Sequence, residues 1–134
     1  MITSTVEYKG NLRTEAIHLE SGTKIITDAP KDNHGNGESF SPTDLMATSL
    51  SSCMLSIMGI VAKRDNIDIV GIKTEVTKIM YSEPRRVGEI HVKLMMPKNN
   101  YSEKERKLLE HAAHTCPVAK SLHPDIIQKI EFIY

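Results

Sequence analysis

The chain has no tryptophan, only two phenylalanines and only two cysteines among 134 residues. So few large aromatics leave no stacking platform for nucleobases. Charge of one sign is lacking too: 17 Lys and Arg balance 17 Asp and Glu, a formal net charge of zero. That argues against a basic face for nucleic acid and against an acidic tail. Neither a nucleic-acid partner nor a membrane partner is expected. The opening MITSTVEYKG has no charged stretch leading into an apolar run, so no signal peptide is expected and a cytoplasmic location is. There is no CxxC pair and no recognised zinc spacing. A zinc site from Cys53, Cys116 and His111 or His114 would be unconventional, so no metal and no cofactor are expected. In a reducing compartment a permanent disulfide is disfavoured. Two cysteines there point to buried thiols, metal ligands or redox chemistry.

What is present is an ordinary globular mixture, 40% apolar and 25% charged. Its length suits one domain with a real core, so residues 1–134 are expected to form a single domain. STVEYKG, LRTEAIHLE and TKIITDAP are short, rich in β-branched residues and bounded by turns, and they read as an N-terminal β-meander. The polar loop KDNHGNGESF follows. Ser41, Pro42 and Asp44 then form a strong helix start: an N-cap, a first-position proline, and an acid three residues after the cap. No charged residue occurs from Leu45 to Ala62, and Met46, Leu50, Cys53, Met54, Ile57, Met58 and Val61 recur at helical spacing. A long central helix, buried on most of its surface, is expected. IDIVGIKTEVTKIMYS and RRVGEIHVKLMMP read as a β-hairpin, Ser102 and Glu105 as a capping box for a second helix, and PVAKSL as a short third helix. IQKIEFIY alternates as a last strand. The fold class is α+β.

The two cysteines differ in setting. Cys53 sits mid-helix, where it is either a small core residue or a thiol that needs a cation from elsewhere to ionise. Cys116 precedes Pro117 and falls at a helix start. There it either fills the packing or gains thiolate character from the helix N-terminus. Arg13, Arg64, Arg85 and Arg86 are the candidate cations considered, each otherwise a solvated charge, and spacing does not choose among them.

SPTDLMATSLSSCM before the long apolar helix, and HTCPVAKSL near the C-terminus, resemble the OsmC/Ohr family of osmotically inducible and organic hydroperoxide resistance proteins. The likeness spans nearly the whole chain. It implies an OsmC-like α+β fold and an intertwined homodimer with sites at the subunit interface. The activity it implies is a two-cysteine hydroperoxide reductase serving oxidative stress defence. On that resemblance Cys53 takes the peroxidatic position, Cys116 the resolving position and Arg13 that of the catalytic arginine. The implied partners are an organic hydroperoxide as substrate and a dithiol reductant such as a lipoyl-bearing protein. The hydroperoxide resistance branch carries a Glu ten residues before the first Cys, paired with the Arg. Here Thr43 stands in that place, leaving Asp44 and Glu38 as candidate replacements. SPTDL in place of NPEQL puts the chain in a separate OsmC-like branch. The alternative to catalysis is a binding protein for a small hydrophobic or electrophilic ligand.

Overall fold

A computed structural model describes every residue, Met1–Tyr134. Contacts group the chain into two compact units, Met1–Leu45 and Met46–Tyr134. The first unit carries the expected meander: β1 (Ser4–Gly10), β2 (Arg13–His18) and β3 (Lys24–Asp28), antiparallel in that order. One 3-10 turn, Lys31–Asn33, lies in the polar loop after it. Within the turn from β1 to β2, Gly10, Asn11 and Leu12 all have positive φ, of 88°, 53° and 62°. For a leucine this is a costly conformation, on the order of 1–3 kcal/mol. It is secured by two hydrogen bonds: Leu12 N–H donates to the Tyr8 hydroxyl, and the Leu12 carbonyl accepts from Ala29 N–H. The turn thereby starts β2 at Arg13.

α1 (Pro42–Arg64) begins as its sequence requires. Asp44 N–H donates to Ser41 Oγ, and Ser41 N–H donates back to Asp44 Oδ2, both at 3.0 Å. The helix ends at Asn66, whose φ of 54° lets Ile67 N–H reach the Ala62 carbonyl at 2.8 Å, a Schellman closure with Asn in the usual place of Gly. Lys63 and Arg64 complement the negative end of the dipole.

The second unit packs α1 against a sheet of β4 (Lys73–Tyr81), β5 (Arg86–Met95) and β6 (Ile127–Ile133). Ile90, Val92 and Leu94 alternate inward from β5 and meet Leu50, Met54 and Met58 of α1 in one core. Each such fully buried side chain contributes about 1.5–3 kcal/mol relative to exposure. Ser51 and Thr74 share a 2.7 Å hydroxyl hydrogen bond that satisfies both between helix and strand. β4 and β5 are antiparallel, whereas β6 joins β5 in parallel with Val92 opposite Ile130. A parallel neighbour needs a crossover, which α2 (Glu103–His114) and α3 (Pro117–Ser121) supply. The α2 capping box is formed at both of its hydrogen bonds. The α+β class is as the sequence suggested, and the strands form two three-stranded sheets.

The central helix departs from expectation in its burial. Its buried residues, Ala47, Leu50, Ser51, Met54, Met58 and Ala62, follow one face, while Ser49, Ser52, Ser56 and Ile60 are exposed. It is long and apolar enough to cross a bilayer, with mean hydropathy 1.8 and a third of that stretch buried. The reason is geometric: a helix on one side of a single three-stranded sheet can cover only the stripe that faces it.

Candidate active site

Both cysteines are free thiols and both lie in the second unit. Cys53 projects from the middle of α1 and is half-buried. Cys116 is the N-cap of α3, with extended backbone and no exposed surface. Pro117 fixes the first helical residue, which aims the next free N–H groups back at the cap. Ala119 N–H donates to Cys116 Sγ at 3.3 Å. The expected helix-terminus stabilisation of a thiolate is therefore present as a hydrogen bond. It does not prevail: burial pushes the Cys116 thiol up, above its ordinary 9.0. The electrostatic influence of Cys53 adds to the rise. Its neighbour His114 packs edge-on against Phe132, ring centroids 6.1 Å apart. No group of three His, Cys, Asp or Glu side chains comes together as a metal site.

Arg13 lies in the first unit, where the β2–β3 register sets it opposite Asp28. Its Nε donates to Asp28 Oδ1 at 2.7 Å and its Nη2 to Asp28 Oδ2 at 2.9 Å, a two-pronged fork on one carboxylate. Asp28 is 1% exposed and also accepts Glu38 N–H at 3.0 Å. The Arg13 hydrogen bonds hold the Asp28 carboxyl below its ordinary 3.8 against the opposing effect of burial, and the same fork raises Arg13. A second carboxylate reaches the same nitrogen: Nη2 donates to Glu38 Oε2 at 3.3 Å.

Of the two carboxylates proposed from the sequence, Glu38 meets Arg13, while Asp44 is engaged in the cap of α1. Asp28, the buried partner, was missed. It ends a strand in the middle of TKIITDAP, and only the strand pairing puts it across from Arg13. A lone acid closing the strand KIITD was the signal available.

The class so defined is an α+β protein whose long central helix carries one thiol and whose short third helix is headed by a second, buried thiol. The chain belongs to the OsmC-like protein family, whose profile matches residues 35–131. It is similar over its length to a crystal structure from Psychrobacter arcticus 273-4, described as a candidate osmotic stress induced and detoxification response protein. The two are 56% identical, 98% of this chain and 96% of that chain are covered, and the TM-score is 0.94. The same fold is shared with an organic hydroperoxide resistance protein from Legionella pneumophila, at 17% identity, 100% and 98% coverage and TM-score 0.77. One from Elizabethkingia anophelis, with thiocyanate bound, matches at 18% identity, 99% and 96% coverage and TM-score 0.75. No protein with a curated description matches the sequence.

Proposed function

We propose that the protein is a thiol-dependent peroxidase that reduces organic hydroperoxides through Cys53 and Cys116. The observation that carries the reading is the unequal setting of two free thiols, Cys53 half-buried in the middle of α1 and Cys116 enclosed at the head of α3. That inequality fixes an order. The Cys53 thiolate attacks the terminal peroxide oxygen, the O–O bond breaks, and the alcohol leaves with a proton. Cys53 becomes a sulfenic acid. The Cys116 sulfur then attacks the Cys53 sulfur and loses its proton, water departs, and a disulfide remains. An external dithiol, such as a lipoyl-bearing protein, restores both thiols by exchange and is itself oxidised. On the family resemblance, Arg13 is the residue that holds the peroxide oxygen, through its guanidinium N–H groups. Asp28 and Glu38 hold its guanidinium, and Asp44 acts through the start of the helix that carries Cys53. A reducing, cytoplasmic setting belongs to the same reading. So does a homodimer, supported by the apolar side chains Val6, Tyr8, Ile25, Ile26, Phe40 and Ile60 that the single chain leaves exposed.

The test is one equivalent of cumene hydroperoxide added to reduced protein, with free thiols counted and peroxide followed. Both thiols should disappear with the peroxide, and Cys53→Ser should abolish consumption. Undiminished turnover by Cys53→Ser refutes the proposal. A stable mass adduct at Cys53 from small electrophiles, without peroxide loss, would favour the binding-protein reading instead.

A further inference from the structure

We infer that Glu38 makes the arginine site selective for uncharged hydroperoxides over those that carry a carboxylate. The inference rests on the peroxidase reading above. It starts from a charge count. The Asp28 fork already neutralises Arg13, and Asp28 is too enclosed to be displaced by a ligand. Glu38 then brings a second negative charge to the same Nη2, so the three side chains carry a net charge of −1. An uncharged hydroperoxide is indifferent to that sign. An anionic one must push Glu38 aside or tolerate it.

Glu38 is stationed there by its backbone. Its N–H is spent on Asp28 Oδ2, the following Ser39 hydroxyl donates to the Ile26 carbonyl at 2.7 Å, and Gly37 N–H donates to the Ala29 carbonyl. The loop closes this tightly because residue 35 is glycine: a Cβ there would lie 1.7 Å from the Ala29 oxygen. The carboxylate itself is 69% exposed, at a longer 3.3 Å, as a group that meets an arriving ligand would be. Asp28 anchors Arg13, and Glu38 sets what Arg13 admits.

The experiment uses linoleic acid hydroperoxide and its methyl ester, which differ only in the charge. The kcat/KM ratio of acid to ester is measured for the native protein, Glu38→Gln and Glu38→Asp. Glu38→Gln should raise the ratio about fivefold, the effect of one surface unit charge on an anion held by the same guanidinium. Glu38→Asp keeps the charge and should keep the ratio low. Added salt should raise the native ratio by screening and leave that of Glu38→Gln nearly flat, a response that a merely structural role would not give. Turnover of both peroxides with an unchanged ratio in Glu38→Gln overturns the selectivity alone. Turnover of neither peroxide by any of the three proteins overturns the peroxidase reading and this inference with it.

Discussion

Oxidation of the thiol pair should be visible as a gain in stability. Cys53 and Cys116 stand 63 residues apart in sequence. A bond between them would close a long loop of the unfolded chain. Loop-closure entropy for that length is worth about 4 kcal/mol at 25 °C when no strain opposes it. Unfolding entropy of about 2.1 cal/mol/K per residue near 60 °C turns this into a rise in Tm on the order of 10 °C or somewhat more for a chain of this size. The assay is thermal unfolding of reduced protein and of protein treated with one equivalent of hydroperoxide, each with its thiols counted. Denaturing gels without reductant distinguish closure within a chain from a covalent dimer. Addition of a dithiol should return Tm to the reduced value. Loss of both thiols within one chain while Tm stays level or falls would refute the reasoning, because the bond would then form only by distorting the core around Cys116.

Further outcomes follow from the same geometry. Cys116→Ser should stop the reaction at the Cys53 sulfenic acid, seen by mass spectrometry as one added oxygen that a dimedone tag captures; an undecorated Cys53 after peroxide would contradict the assigned order. Met58→Ala, at a position with no exposed surface, should cost about 2–5 kcal/mol in urea unfolding through lost burial and the cavity left behind. Asp28 has a lowered pKa in the folded protein, so the unfolded chain binds more protons as pH falls below about 3.8, and the stability from the Arg13 fork is lost there. Asp28→Asn should therefore flatten the acid limb of stability against pH, and an identical acid limb in both proteins would show that another carboxylate dominates. Cys116 shifts the opposite way. The folded state retains a proton that the unfolded state gives up, so its contribution should decline as pH rises above about 9.0, and Cys116→Ser should remove that alkaline limb.

The sequence by itself determined the local elements, because their signals are complete within a few residues. Ser41 and Asp44 define the head of α1, Ser102 and Glu105 that of α2, and Pro117 that of α3, each through hydrogen bonds reaching only one helical turn. Ile90, Val92 and Leu94 announced the inward face of β5 by alternation alone. The two cysteine segments also identified the family. Tertiary structure decided what depends on residues far apart in the chain. β6 could have paired with either hairpin strand in either direction, and its parallel place beside β5 is set by the α2–α3 crossover. Asp28 gained its role from the strand register that faces it to Arg13, and Glu38 from a loop folded back over β3. The protonation of Cys116 turned on enclosure by the core, which outweighs the helix start that the sequence does show. Hydrogen bonds of one helical turn are written in adjacent letters; desolvation and cross-strand neighbours exist only once the whole chain has packed.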